Sequence, residues 1–436
     1  MHRKSLIAAS AAISLAVAAL AGCGSSAQAG SSGKVTVTYM TWEANDTNAA
    51  LDATMAKFAK SSGIAIQREA APNADYSQKL ASLIMDKNAP DFFWCTTAEA
   101  QNLAAEGLLY NWTSELKSGD GLKEANFSPG TLPMWTTPSG QIAGIPTLAN
   151  TYGFFYNANT FKADGLPVPA IGWTWNDLFS DLAKLKAAKS SGTPLVTQWP
   201  LLESPQGLSA YSVANGGQPF VNSFVHATSV QADATLRAGA SRFASAIAAG
   251  EMTNPDYDAT NAMAEFSAGD IPLMFGGQWL DEFIAPNKPK FSWGFAPWPA
   301  GTKENVQPIE TNGICSPATL TDPSQTWKAI SYMEATGFNQ AMKTVPVAPI
   351  AYVPGTKGYY ESLTDAGDAA SASIEATAKY ELAAKDKFIT QFLDQWATKE
   401  AAVQTTSWNP ALENPAKLSS GINATISGVK ALIGGQ

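Results

Sequence analysis

The feature that most constrains the fold is an alternation of strand and helix patterns at the start of the globular region. Residues 35–39 alternate apolar and polar side chains, which predicts a strand. Residues 51–58 carry apolar side chains at helical spacing, and Gly63 is predicted to end that helix.

The same alternation continues to Gly107. Residues 64–67 are predicted to form a second strand, residues 76–84 a second helix, and Phe92–Cys95 a third strand followed by another helix. This βαβαβ order predicts an α/β fold with a mostly parallel sheet and helices on both sides. In such sheets ligands bind beyond the carboxyl ends of the strands, which here are Trp42-Glu43 and Thr96-Thr97.

A second α/β unit is predicted further along the chain. Residues 152–157 form an aromatic strand pattern, and Thr174 and Asp177 are spaced as a capping box for the next helix. Asp322 and Pro323 are predicted to begin a helix that Gly337 ends. From about Ala366 onward the pattern is nearly all helical.

The amino terminus has the pattern of a bacterial lipoprotein signal. Arg3 and Lys4 precede an apolar run at residues 6–20, which is shorter than the roughly 20 residues that a spanning helix needs. The run ends in the lipobox Leu20-Ala21-Gly22-Cys23, so we predict a signal peptide at 1–22 and a lipid on Cys23 that anchors the protein to the extracytoplasmic face of the cell membrane. Residues 23–33 are predicted to be a flexible tether. A plain signal anchor with an incidental cysteine is the alternative.

The charge balance disfavours anionic partners. The chain has 28 basic and 37 acidic residues, a net charge of -9, which becomes -11 once Arg3 and Lys4 leave with the signal peptide. Nucleic acid or an anionic main ligand is therefore not expected, whereas a neutral ligand fits better.

The sequence offers no positive sign of a catalytic or metal centre. His226 alone remains in the mature chain, so a multi-histidine metal site is ruled out, and no cofactor is expected. Paired carboxylates would still allow glycoside hydrolysis without histidine.

Cys95 and Cys315 are the two cysteines besides Cys23. Both lie in apolar, strand-like segments, which favours two buried free thiols. A disulfide is the alternative, because the compartment is oxidising, and it requires that the two thiols meet in space.

The tryptophan content suggests a carbohydrate ligand. The chain has 13 Trp, and flat rings stack on the apolar C–H faces of sugars while polar side chains bind the hydroxyls. Four of them lie in loop-like segments beside polar residues and are candidate stacking platforms: Trp42, Trp199, Trp279 and Trp408, with Glu43, Asn45, Gln278 and Asp281 as polar neighbours. Core packing is the alternative for each ring.

Several segments together resemble the extracellular solute-binding proteins of ABC importers, in particular the maltose-binding-protein-like class that serves sugar transporters. The matching segments, which span nearly the whole chain, are Pro90-Asp91-Phe92-Phe93-Trp94, Gly107-Leu108-Leu109, Gly144-Ile145-Pro146, Phe155-Tyr156-Asn157, Trp173-Thr174-Trp175-Asn176-Asp177, residues 266–274 with Gly277-Gln278-Trp279, residues 293–299, and Thr311-Asn312-Gly313-Ile314-Cys315.

The resemblance implies a two-lobed, periplasmic-binding-protein-like fold with a ligand cleft between the lobes. The lobes would be joined by hinge crossovers near residues 145–147, 307–313 and 350–354. The N-terminal lobe would comprise residues 34–145 plus 312–351, and the C-terminal lobe residues 146–311 plus 352–436.

Carried onto matching positions, the family pattern implies further ligand contacts. These are Thr97 or Glu99 after the third strand, Asn150 or Tyr152 at the first crossover, and Glu43 and Asn45 after the first strand. Cys95 and Ala98 occupy positions that are aromatic or charged in some oligosaccharide-binding relatives, which argues against maltodextrin itself. A solvated helix face is the alternative for Glu99.

The leading function is capture of a neutral mono- or oligosaccharide by a monomeric, non-enzymatic protein that delivers it to an ABC permease. A quaternary ammonium or polyol ligand in an aromatic box is an alternative. Two further alternatives are a lipid-anchored glycosidase and a purely structural surface lipoprotein.

Overall fold

A computed structural model describes residues 35–71, 75–188 and 192–435. The predicted signal peptide, Cys23 and the tether lie outside these ranges. Within them, no helix combines the length and the apolar character needed to cross a membrane.

Ten strands are described: β1 (Thr36–Met40), β2 (Ala65–Glu69), β3 (Phe92–Thr96), β4 (Ile145–Asn150), β5 (Tyr152–Asn157), β6 (Leu195–Thr197), β7 (Leu273–Gly277), β8 (Trp293–Pro297), β9 (Val306–Cys315) and β10 (Asp386–Ile389). The α-helices are α1 (Asn45–Ser62), α2 (Tyr76–Met85), α3 (Thr97–Ala105), α4 (Thr113–Ser118), α5 (Thr131–Met134), α6 (Ala158–Ala163), α7 (Trp175–Ala188), α8 (Pro205–Ala214), α9 (Ala234–Ala248), α10 (Ala262–Ala268), α11 (Asp281–Ile284), α12 (Pro323–Tyr332), α13 (Phe338–Met342), α14 (Lys357–Ala366), α15 (Ala369–Ala383), α16 (Ala397–Val403), α17 (Asn409–Glu413) and α18 (Leu418–Gly434).

The predicted βαβαβ unit forms the larger of two sheets. β1 pairs in parallel with β2 on one side and with β3 on the other, because α1 and α2 provide the crossovers. Gly63 ends α1 in the left-handed region at φ 77°, as its position in the sequence predicted. β9 runs antiparallel to both β3 and β4, and β10 pairs in parallel with the start of β9 as the sixth strand.

The smaller sheet has the order β6-β7-β5-β8. Its central strands are buried on both faces: Phe154 packs into one apolar cluster with Trp175, and the next residue, Phe155, packs into the other cluster with Trp94. Such two-sided burial requires helices on both faces of the sheet, which confirms the α/β architecture. The capping box of Thr174 and Asp177 that begins α7 is also present.

The chain has two lobes, one built on each sheet. β4 belongs to the larger sheet and β5 to the smaller one, so the chain passes from one sheet to the other at Thr151. β9 packs into both apolar clusters, because Val306 lies in the cluster of Phe154 and Ile314 lies in the cluster of Trp94. The lobe boundaries and the hinge positions given above remain a prediction.

Two local expectations are wrong. Cys95 and Cys315 are joined in a disulfide, with their Cα atoms 6.0 Å apart, because β3 and β9 are neighbours and the two thiols face each other. Gly337 does not end a helix: a π-helical turn at Met333–Gly337 connects α12 directly to α13. Its φ of -60° fits a helix, so here glycine does not act as a C-cap.

Candidate functional site

A cavity of about 530 Å³ lies between the lobes. The N-terminal lobe contributes Trp42 and Glu43 after β1, and the C-terminal lobe contributes Trp279, Glu282 and Phe283 after β7. The other lining residues come mainly from the connecting strands: Ala44, Leu148, Asn150, Glu310, Asn312 and Val347.

The cavity is formed where strands of both sheets end. β1 ends at Met40 and β7 at Gly277, and the segments that follow them face each other across the cleft. This is the position at which open α/β sheets bind ligands, because the carboxyl ends of strands leave loops and helix starts free to contact a guest.

Helical geometry explains which residues after β7 reach the cavity. Trp279, Glu282 and Phe283 are separated by three and four positions, so one face of the helical segment presents all three. Asp281 lies off this face. Burial, together with the charges of Glu282 and Asp368, raises its pKa to about 8.

Strand geometry likewise places Glu310 and Asn312 together. They alternate with Thr311 along β9, so both side chains lie on one face of the strand. The Tyr152 hydroxyl donates a hydrogen bond to Oε2 of Glu310, and the Thr390 hydroxyl donates to the same oxygen at 3.2 Å. Burial raises the pKa of Glu310, and these hydrogen bonds oppose the rise.

Glu43 is held by the third strand. The indole nitrogen of Trp94 donates to its Oε1, and the residue is partly buried. Burial raises the pKa of Glu43 to about 7, the hydrogen bond from Trp94 opposes this rise, and the negative charge of Glu282 adds to it. The charge of Glu282 therefore acts on Glu43 across the cleft.

Three aromatic rings cluster on the C-terminal side of the cleft. The ring centroid of Trp279 lies 5.2 Å from the ring centroid of Tyr152 and 5.5 Å from that of Trp199. Trp199 is 38% exposed, so its ring is available to solvent and to a ligand that extends beyond the cavity. The cluster offers flat apolar surface next to the carboxylates of the cavity.

Of the residues predicted from the sequence, the structure brings Trp42, Glu43, Asn150 and Trp279 to the cavity wall. Tyr152 and Trp199 lie beside Trp279 in the aromatic cluster. These six residues share one region, and their contact with a ligand remains a proposal.

The other predicted residues lie elsewhere. Asn45 is exposed at the start of α1, and Thr97 is fully buried in α3. Glu99 caps α3, since its Oε2 accepts hydrogen bonds from the backbone and the hydroxyl of Thr96. Gln278 is fully buried and accepts the backbone N–H of Thr151 at 2.7 Å.

Trp408 is a core residue and not a stacking platform. It is 1% exposed, and its indole nitrogen donates to the backbone carbonyl of Glu203 at 2.9 Å. No face of this ring is free for a ligand, so the core-packing alternative is correct for Trp408.

Sequence reasoning missed Glu282, Phe283, Glu310 and Asn312. The helical spacing from Trp279 would have identified the first two, had the segment been assigned as helical. The alternation of polar residues along 310–312 would have identified the others. No local pattern indicates Leu148 or Val347, because they reach the cavity only through the tertiary fold.

A second cavity, of about 690 Å³, lies on the N-terminal lobe beside α4 and α12. It shares no lining residue with the cleft, and all its walls belong to one lobe. Movement between the lobes would not enclose a guest there. The cleft is the stronger candidate, because it combines aromatic rings and polar groups from both lobes.

Comparison with known proteins identifies the architecture. The family model described as bacterial extracellular solute-binding protein matches residues 53–381. Among proteins of curated function, none matches the sequence.

Solved structures share the fold at low sequence identity. An ABC substrate-binding protein from Listeria monocytogenes in complex with cycloalternan superposes with a TM-score of 0.72 at 18% identity, covering 92% of this chain and 99% of the other. The sugar-binding protein MalE from Xanthomonas citri gives 0.73 at 13% identity, with coverage of 92% and 98%. The cyclic alpha-maltosyl-1,6-maltose binding protein from Arthrobacter globiformis gives 0.73 at 16% identity, with coverage of 93% and 100%.

Proposed function

Given that the chain belongs to the family of bacterial extracellular solute-binding proteins, we propose that it captures a carbohydrate in the cleft between its lobes and delivers it to an ABC importer. The observation that carries this proposal is the cavity of about 530 Å³, in which Trp42 and Trp279 stand among polar side chains from both lobes. Aromatic rings stack on the apolar C–H faces of a sugar, and the polar side chains form hydrogen bonds with its hydroxyls.

The size of the cavity supports a small saccharide. Binding sites for small molecules typically enclose about 300–1,000 Å³, and this cavity lies within that range. The exposed ring of Trp199 beside Trp279 extends the aromatic surface outward, which favours a ligand of more than one sugar unit.

The proposal includes attachment to the extracytoplasmic face of the membrane through lipid on Cys23. The lipobox and the short apolar run before it support this attachment. A tethered protein remains close to its permease, which raises the effective concentration of the loaded form there.

The proposal is tested with a panel of sugars. The purified mature protein is heated with mono- and oligosaccharides, and both its melting temperature and the reducing ends of the sugars are measured. A binder is stabilised and leaves the sugar intact, whereas new reducing ends identify a glycosidase. Absence of any stabilisation across the panel would overturn the proposal.

A further inference from the structure

Two carboxylates from opposite lobes line the same cavity. Glu43 follows β1 in the N-terminal lobe, and Glu282 lies in α11 of the C-terminal lobe. Glu310, on the strand that joins the lobes, adds a third carboxylate to the wall. In the described residues, no lysine, arginine or histidine lines this cavity.

This arrangement gives the cavity a surplus of negative charge, which favours a cationic ligand over a neutral ligand of the same size. A ligand that displaces water from the cavity also removes the solvent that screens the two opposing carboxylates. The charge of Glu282 already acts on Glu43, whose pKa is raised mainly by burial and further by this charge. A neutral sugar supplies hydroxyl donors and no compensating charge.

Aromatic rings stand beside the same carboxylates. Trp42 adjoins Glu43, and Trp279 and Phe283 share a helical face with Glu282. The faces of such rings attract cations as well as C–H groups. An ammonium group between the two carboxylates would therefore be stabilised by charge on both sides and by aromatic faces at the rim.

We propose that the ligand of this cleft is a carbohydrate bearing a protonated amino group, and that its ammonium lies between Glu43 and Glu282. The inference rests on the proposed function and specifies its substrate class. It also assigns Glu43 and Glu282 as the residues that determine specificity, one from each lobe, so that closure of the cleft is coupled to the charge of the ligand.

The test compares sugars that differ in one substituent. Titration calorimetry measures the affinities of glucosamine, N-acetylglucosamine and glucose, and of the corresponding β-linked dimers and trimers. The amino form is expected to bind tighter than both neutral forms by on the order of tenfold. Equal affinity for the amino and neutral forms would overturn the inference and leave the proposed function standing.

Variants identify the groups responsible. Glu43→Gln and Glu282→Gln keep the size of each side chain and remove its charge, and each is expected to abolish most of the difference in affinity between the amino form and the neutral forms. The exposed carboxylates of Glu106 and Glu413 provide matched controls, one in each lobe, as Glu106→Gln and Glu413→Gln. An amino preference that survives in both cleft variants contradicts the assignment.

One more titration distinguishes a site for amino sugars from a site that binds cations and no sugar. Choline is titrated beside the sugars, because it presents a cation without a sugar ring. Binding of choline with no response to any sugar would overturn both proposals. Binding of glucosamine oligomers well above choline and the neutral sugars would support both.

Discussion

The indole nitrogen of Trp94 donates a 2.8 Å hydrogen bond to Oε1 of Glu43. Trp94 is a buried residue of β3, so the carboxylate at the cavity wall is oriented by the sheet and not by its own loop alone. Trp94→Phe removes the donor and keeps most of the aromatic packing. In the native protein the hydrogen bond from Trp94 favours the ionised form of Glu43. We therefore expect its loss to raise the pKa of Glu43 above about 7.

Carboxyl-carbon NMR across a pH titration measures this change. Ligand affinity should fall by about 0.5–1.5 kcal/mol, the usual net contribution of one hydrogen bond. The packing control is Phe338→Leu, which alters the ring beside Trp94 and leaves its N–H bond in place. An unchanged pKa in Trp94→Phe would show that the bond does not position Glu43.

Trp279→Ala is expected to weaken ligand binding by roughly 1.5–3 kcal/mol, the value of one large apolar contact. The ring lines the cavity and is only partly buried, so the fold should survive. Titration calorimetry gives the affinity, and thermal melting gives the stability. Met85→Ala, at a 75% exposed position outside the cavity, is the control. Loss of the folded state would assign Trp279 to the core instead.

Glu203 predicts a pH dependence of stability. It is fully buried, neither carboxyl oxygen has a hydrogen-bond partner among the described residues, and burial raises its pKa to about 8. The folded state therefore keeps a proton that the unfolded chain releases above its ordinary pKa. The contribution of Glu203 to stability is complete below about pH 4.5 and is lost as the pH rises toward 8, by up to about 1.4 kcal/mol per pH unit.

Urea unfolding at several pH values measures this slope. Glu203→Gln should flatten the decline between pH 5 and 8, because the amide does not titrate. The same experiment on Glu413→Gln, whose carboxylate is exposed, should leave the slope as it is. A parallel decline in both variants would show that other buried carboxyls account for the pH dependence.

The disulfide between Cys95 and Cys315 closes a loop with a sequence separation of 220 residues. The double variant Cys95→Ser, Cys315→Ser should lower the free energy of unfolding by about 2–4 kcal/mol. Melting of the oxidised protein, the reduced protein and the double variant measures this effect. Equal melting temperatures in all three would mean that the bridge does not stabilise the fold.

Cys23→Ser is expected to release the protein from the membrane. Without the thiol no diacylglycerol is attached, and residues 24–33 contain only Gly, Ser, Ala and Gln, which do not anchor a protein in a bilayer. Cell fractionation and mass spectrometry of the mature amino terminus measure the outcome. The control is Ser25→Ala, which alters the tether and keeps the lipobox. A variant that stays membrane-bound would favour the signal-anchor alternative.

The sequence predicted those strands and helices in which burial of one face imposes a regular spacing of apolar residues. β1–β3 and α1–α3 form as expected, because apolar side chains alternate along β1, recur every third to fourth residue in α1 and α2, and form a short continuous run in β3. β10 escaped prediction, since its four residues contain two charged side chains and pair only with β9. The spacing of residues along the chain does not reveal a strand that forms because it pairs with another strand.

The same limit applies to the site. Trp42 and Trp279 were identifiable because a large ring beside polar residues, after a buried strand, is unusual. Trp408 has similar neighbours in sequence, and only the packing of its π-helical turn and of α17 against α9 and α18 places it in the core. Glu282 and Glu310 were missed because exposed glutamate is common in any sequence. Only the fold determines whether such a residue lines the cleft or lies on the outer surface.

Strand β9 is one continuous length of backbone that packs into both apolar clusters, and its pairing partner changes from β10 to β4 next to Glu310. Relative movement of the two clusters would therefore twist the peptide groups on either side of a carboxylate that lines the cavity. On the predicted hinge at residues 307–313, a ligand that binds Glu310 would act next to the position about which the two lobes turn.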